Sequence, residues 1–155
     1  MSVKSSPKTI NRPTDNLGYW LNLLAHAIAR SFDKALEKHG VTIPQWVVLR
    51  ALYDRECSMN ELSEAIHLDH GSTSRLVERL VQKKLVNRET IPEDRRSVRV
   101  SLSSAGVALI PELASTAGGH DEAFFARISK TKKDQLLEIV MELVKKHEVI
   151  PGVMQ

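Results

Sequence analysis

Between Ser58 and Leu102 the apolar residues change their spacing from helical to strand-like, and this switch restricts the fold more than any other feature of the chain. Ser58-Met59-Asn60-Glu61 has the S-x-x-E form of a capping box and opens a short helix, NELSEAIH, with Leu62, Ala65 and Ile66 on one side. After a break at Leu68-Asp69-His70-Gly71 comes STSRLVERLVQKK. Its spacing turns Leu76, Val77, Leu80 and Val81 inward and leaves Ser72, Arg75, Arg79 and Lys83 largely on another side. The period then falls to two. Val86 begins one run, and in the next Val98, Val100 and Leu102 alternate with Arg99 and Ser101. IPEDRR joins the two strands, with Pro92 and Asp94 supplying turn chemistry.

The flanks are helical. Leu17, Leu21, Leu24, Ile28, Phe32 and Ala35 recur at three- and four-residue steps, with Thr14 or Asp15 available as the cap and Lys38-His39-Gly40 as the exit. Such a helix of about 24 residues is roughly 36 Å long, long enough to pack on a second copy. Thr42-Ile43-Pro44-Gln45 forms a T-x-x-Q box ahead of a helix to about Asp54, which offers Trp46, Leu49, Ala51 and Leu52 for packing. Ser103 or Ser104 caps a helix over 104–127, where Pro111 and Gly118-Gly119 predict a bend at one or both places. Thr131-Lys132-Lys133-Asp134 opens the last helix, with Leu136, Ile139, Val140, Leu143 and Val144. The expected fold is mainly α with a two- to three-stranded β-wing, in the order four helices, two strands, two helices. Residues 1–13 read as a flexible arm, 14–147 as one domain and 148–155 as a tail. Within the domain, 14–40 and 104–147 are expected to dimerise, and 42–102 to form a winged helix-turn-helix lobe.

The charge distribution suggests what that lobe meets. The whole chain carries a formal +3, mildly basic and compatible with a polyanion. Residues 70–99 hold eight Lys or Arg (Arg75, Arg79, Lys83, Lys84, Arg88, Arg95, Arg96 and Arg99) against four acids (Glu78, Glu89, Glu93 and Asp94). That local excess of four exceeds the total, so the positive charge is concentrated in one segment. The second helix of a helix-turn-helix lies in the major groove of DNA and meets base edges with its N-terminal residues. Ser72, Thr73 and Ser74 are small enough for close approach, and a helix N-terminus favours phosphate. Arg75 and Arg79 can reach a guanine edge or the flanking phosphates.

These residues also carry a resemblance. NELSEAIHLDHGSTSRLVERLVQKKLVNRETIPEDRRSVRVSLSSAG, and VTIPQWVVLRAL before it, resemble the DNA-binding lobe of the multiple-antibiotic-resistance regulator (MarR) family. Asp94-Arg95-Arg96, followed by Val100, Leu102 and Gly106, is similar to the family's D-x-R wing motif and the start of its next helix. The likeness spans about residues 17–147. It implies a triangular homodimer gripping a pseudo-palindromic operator in double-stranded DNA. It places His70, Ser72, Thr73, Ser74, Arg75 and Arg79 at the groove, Arg96 with Arg95 on the wing entering the minor groove, and Asp94 as the acid that steadies it. It further implies a repressor released by a small aromatic or phenolic effector. Where the family often has glycine after the recognition helix, this chain has Lys84. Either Lys84 takes a left-handed conformation at about a kcal/mol or more, or the helix exits differently.

Other readings remain beside this one. Trp20, His26 and Trp46 are candidates for an effector pocket binding a small aromatic anion, although packing is the commoner fate of tryptophan. Cys57, the single cysteine, tempts a redox reading, and His67-x-x-His70 a metal one; no metal and no cofactor is expected, since a zinc site would need further ligands. A winged-helix interaction module that has lost DNA binding would have no need of Arg95, Arg96 and Arg99 together. An enzyme is not expected: the chain has no G-x-S-x-G, phosphate-cradling glycine loop or metal-hydrolase spacing. The polar start MSVKSSPKTINRPTDN lacks an apolar signal core, and no apolar run spans a bilayer. A cytoplasmic protein away from membranes is expected.

Overall fold

The computed structural model describes residues 12–91 and 94–149, the side chains of 91 and 94–97 excepted. The expected arm (all but its last two residues), Pro92 and most of the expected tail lie outside them. Six helices and three strands follow in order: α1 Leu17–Leu36, α2 Ile43–Tyr53, β1 Cys57–Ser58, α3 Met59–Ala65, α4 His70–Gln82, β2 Val86–Ile91, β3 Asp94–Leu102, α5 Ser104–Phe125 and α6 Lys130–Lys146. Short 3-10 turns precede α1 (Pro13–Asp15) and follow it (Glu37–His39).

Most elements start where local chemistry dictates. The Gln45 carboxamide accepts the Thr42 N–H at 3.3 Å ahead of α2. Before α3, the Ser58 hydroxyl accepts the Glu61 N–H at 3.2 Å, and the Glu61 carboxylate accepts the Ser58 N–H at 2.7 Å. Ser103 caps α5 through the Gly106 N–H, and Ser129 caps α6 through the Lys132 N–H. The expected Thr14 or Asp15 cap of α1 is corrected to Asn16. The Asp15 carboxylate instead accepts the Arg12 N–H within the preceding turn. α5 runs unbroken through Pro111 and Gly118-Gly119, where an interruption was expected.

The strands form one antiparallel sheet in the order β1-β3-β2. Val86 pairs with Leu102, Arg88 with Val100 and Thr90 with Val98, and then the register shifts so that Ile91 faces Asp94. The strands therefore run into IPEDRR, which was expected to be a connection throughout. β1 is a third strand that periodicity did not show, with Cys57 opposite Val100. Two residues have no period.

The buried apolar core runs from Leu36 through Val48, Leu49, Leu62, Val77, Leu80 and Val100 to Leu113. It therefore belongs to the lobe of α2 to β3 with the end of α1 and the first half of α5. By contrast, α1 buries only Leu36 and α6 buries nothing. Leu17, Tyr19, Trp20, Leu21 and Leu23 on α1, and Leu137, Ile139, Val140, Met141 and Leu143 on α6, are all exposed. Each large apolar side chain fully removed from water contributes roughly 1.5–3 kcal/mol. On α1 and α6 that contribution is largely unrealised within one chain.

One close approach fixes how the wing meets α5. The Leu85 carbonyl accepts the Ser103 N–H at 3.0 Å, and the Ser103 hydroxyl donates to the Lys84 carbonyl at 2.7 Å. A Cβ on Gly106 would run into that same Leu85 carbonyl oxygen. Gly106→Ala must push α5 off the wing base and is expected to lower stability by at least about 1 kcal/mol, as overpacking usually does. Urea denaturation checks this; an unchanged midpoint would show that the approach is not tight.

Candidate nucleic-acid interface

The helix that sequence reading starts at Ser72 begins two residues earlier. Asp69 is its N-cap, and the Asp69 carboxylate accepts the Ser72 N–H at 2.9 Å. His70 and Gly71 thus belong to the first turn. The Ser72 hydroxyl, then its backbone N–H, hold the Asp69 carboxyl below its ordinary range. Asp69 was passed over as part of a break, although D-x-x-S ahead of an amphipathic run is a capping signal.

α4 divides cleanly into two faces. Thr73, Val77 and Leu80 are buried at i, i+4 and i+7, with Leu76 packed beside them. The opposite face presents His70, Arg75, Glu78 and Arg79, all exposed, with Ser72 and Ser74 half-buried at its margin. Thr73 is therefore corrected as a contact candidate: it is fully buried, and its hydroxyl donates to the Asp69 carbonyl at 3.0 Å. Val81, expected inward, lies exposed. Ser72 and Arg75 meet, the Arg75 guanidinium donating to the Ser72 hydroxyl at 3.3 Å.

The exit of α4 answers the question posed by Lys84. Its φ is +59°, so it takes the left-handed conformation. The Lys84 N–H reaches the Val81 carbonyl at 2.8 Å, and the Leu85 N–H reaches that of Leu80 at 3.0 Å. This pair of bonds is a Schellman cap closed by a lysine where glycine is usual. The helix ends as the family pattern requires, at the strain cost of a side chain.

Two exposed cations of the segment are engaged within the protein. Lys83 is turned to the Gly40 carbonyl and the Gln45 carboxamide. Arg99 pairs with Glu56 at 3.2 Å, tying β3 to the segment before β1. Arg88 stands exposed on β2. Asp94, Arg95 and Arg96 lie in β3 by their backbone; their side chains are outside the described ones.

Trp20, His26 and Trp46 do not line one pocket. Trp46 is in the lobe core at 5% exposure, because the spacing of α2 turns it inward. Trp20 is exposed on α1, its indole N–H donating to the Thr14 carbonyl at 2.9 Å. His26 sits in a shallow groove of about 340 Å³ with Tyr19, Asn22, Leu23 and Arg30. Cys57 is buried; burial foremost, then the Glu61 charge, raise its thiol pKa, the reverse of what a reactive thiolate needs. Among the described residues, no three His, Cys, Asp or Glu side chains gather into a group that could hold a metal.

The comparisons with known proteins agree with this geometry. Residues 39–97 match the sequence model of the MarR family. An organic hydroperoxide resistance transcriptional regulator of Bacillus subtilis is 30% identical over 101 residues, covering 64% of this chain and 68% of the relative. The chain belongs to the MarR family. A probable transcriptional regulator of Pseudomonas aeruginosa shares 28% identity with a TM-score of 0.75, over 85% of this chain and 99% of that one. In fold alone, this MarR-family chain also matches Bordetella bronchiseptica BpsR, whose DNA binding is described as regulated by 6-hydroxynicotinic acid (24% identity, TM-score 0.74, 86% and 96% covered). Among the described residues no helix is long and apolar enough to cross a membrane.

The Asp69 cap gives a pH prediction. A carboxyl held below its ordinary pKa in the fold adds stability above that ordinary value and loses it as pH falls through the folded one. Glu61, lowered first by the Ser58 backbone N–H, acts in the same direction. Asp69→Ala is expected to be less stable at neutral pH and to lose less than wild type on acidification into the carboxylate range. Urea midpoints across that range measure it; parallel curves would remove Asp69 as the cap.

Proposed function

We propose that this chain is a sequence-specific DNA-binding regulator that acts as a homodimer, reading successive major-groove segments of a pseudo-palindromic operator with two copies of α4. The observation that carries this reading is the two-faced α4. Its inner face is bolted into the core, while its outer face offers His70, Ser72, Ser74, Arg75 and Arg79 at and after a capped N-terminus. The wing of β2 and β3 flanks it; Arg96 with Arg95 at the strand turn is assigned to the adjacent minor groove, and Asp94 to steadying the wing.

The dimer follows from the open apolar faces of α1 and α6. A groove of about 390 Å³ runs between α1, α5 and α6, lined by Leu21, Leu24, Ile28, Leu136 and Val140 among others. It is continuous with the exposed residues of both helices, and a second copy offers the matching surface. We accordingly divide the chain into 42–102 for DNA and 14–40 with 104–147 for assembly. The regulator is a repressor released by a small aromatic or phenolic effector; the support is the ligand-regulated DNA binding described for BpsR. The scattered positions of Trp20, His26 and Trp46 argue that such an effector does not use those three together.

The roles of the two α4 arginines separate by experiment. Arg75 lies nearer the N-terminus, where side chains meet base edges, and Arg79 one turn further on. Arg75→Ala is expected to relax specificity at one symmetric position per half-site, by about 1–3 kcal/mol each. Arg79→Ala should weaken binding to all sequences and reduce the salt slope by about 0.9 per lost phosphate contact. Competition between single-base operator variants at two salt concentrations reads both effects. Even loss in both mutants would remove direct readout by Arg75, and no loss in either would remove α4 from the groove. Light scattering checks the assembly: a dimer is expected, and a folded monomer at micromolar concentration contradicts it.

A further inference from the structure

Lys83 bridges the end of α4 to the link between α1 and α2. It is the C-cap residue of α4, 11 positions after Ser72 in sequence, hence roughly 16 Å along the axis from the groove-facing end. Its ammonium donates to the Gly40 carbonyl at 2.5 Å and to the Gln45 Oε1 at 2.8 Å. Gly40 has a φ of +65° and is the left-handed residue that ends the first helical arm before α2 begins. Gln45 is 3% exposed, and its Oε1 also accepts the Thr42 N–H. One lysine therefore holds the end of α4 against both sides of the link between α1 and α2.

The same link is fixed from its other side. His39, next to Gly40, is mostly buried; its Nε2 lies 2.8 Å from the Thr116 hydroxyl and its Nδ1 3.5 Å from the Glu112 carboxylate. A continuous path thus runs from α5 through His39 and Gly40 to Lys83 and α4.

We propose that Lys83 is a positioning residue: it sets the angle of the recognition helix relative to the α1–α5 arms through Gly40 and Gln45, and contributes nothing by contact with phosphate. This rests on the reading of α4 as the DNA-reading helix. The three N–H donors of a lysine suit the task, since two go to neutral carbonyl oxygens here, and bonds to a charged donor are the stronger kind. The lever is what gives the contact its reach. A small rotation allowed at the C-cap is multiplied along the helix into displacement at Ser72 and Arg75, where hydrogen-bond geometry to a base edge tolerates little. Lys84, adjacent and equally charged, provides the control because its side chain makes no hydrogen bond or ion pair among the described residues.

Four proteins test this: Lys83→Met, Gln45→Met, the double variant and Lys84→Met. Each is titrated against the tightest duplex recovered from a randomised library and against a scrambled duplex of the same composition, across a salt series. The expected result is about a tenfold loss for the selected duplex in Lys83→Met, equivalent to about 1.4 kcal/mol, with a smaller loss for the scrambled one and an unchanged salt slope. Gln45→Met should reproduce part of that loss of discrimination, and the double variant should be no worse than Lys83→Met. A purely structural defect would lower the active fraction without changing the ratio between the two duplexes.

Three results overturn the inference. In the first, Lys83→Met and Lys84→Met act alike and reduce the salt slope by about 0.9 per contact, which makes Lys83 a phosphate ligand. In the second, Lys83→Met keeps the wild-type preference. In the third, the losses from Lys83 and Gln45 add fully. A wild-type chain that binds no duplex at any salt would instead overturn the regulator reading itself, and that shows in the control before any variant is measured.

Discussion

The structure depends on the burial of one stripe of α4. Val77 and Leu80 sit in the core with Leu49, Leu62 and Val100, the last three each contributed by a different element, and Thr73 is fully buried beside them. Because a helix has 3.6 residues per turn, fixing that stripe fixes the opposite face in direction. Arg75 and Arg79 point outward because Val77 and Leu80 cannot. The fully buried Thr73 is the one polar group in the stripe, and its bond to the Asp69 carbonyl satisfies the hydroxyl that burial would otherwise leave unpaired.

Around that stripe the lobe is held by backbone geometry more than by ion pairs. The Asp69 cap starts α4 and the Lys84 Schellman turn ends it. Immediately afterwards the Leu85 carbonyl meets Ser103 and Gly106, so the wing and α5 leave the helix at set angles. The exposed pairs, Arg99 with Glu56 and Arg50 with Asp54, belong to a class worth about 0–1 kcal/mol each. They orient surface groups. The arms contrast with this lobe: α6 is an amphipathic helix with no buried residue, and the apolar face it carries is what a second copy would cover.

Much of this was legible in the sequence, for reasons that differ between elements. The long helices and the wing were readable because their apolar periods extend over many residues, and the capping boxes at Thr42 and Ser58 located two starts. β1 was not, because two residues such as Cys57 and Ser58 carry no period and join the sheet only through tertiary pairing. Thr73 was assigned to the interface as a small residue beside Ser72 and Ser74, although it lies four positions before Val77 and seven before Leu80 and so shares their buried stripe. Val81 lies exposed although its spacing was read as inward, since a phase error of one position rotates a helical residue by about 100°, whereas Trp46 is packed in the core, one of the two fates its sequence position left open. The roles of Lys83 and Gln45 were illegible in principle. They meet across 38 positions of sequence, and no local pattern encodes that contact.

The proposed dimer sets two copies of α4 in successive major grooves on one face of the duplex. Methylation interference at guanine N7, which lies in the major groove, combined with hydroxyl-radical footprinting of a bound duplex, tests it most directly. Two symmetric patches of major-groove interference are expected, centred about 10–10.5 base pairs apart, roughly 34–36 Å. Backbone protection should extend beyond each patch where the wings lie. Interference confined to the minor groove, or a single patch with no symmetric counterpart, would contradict it.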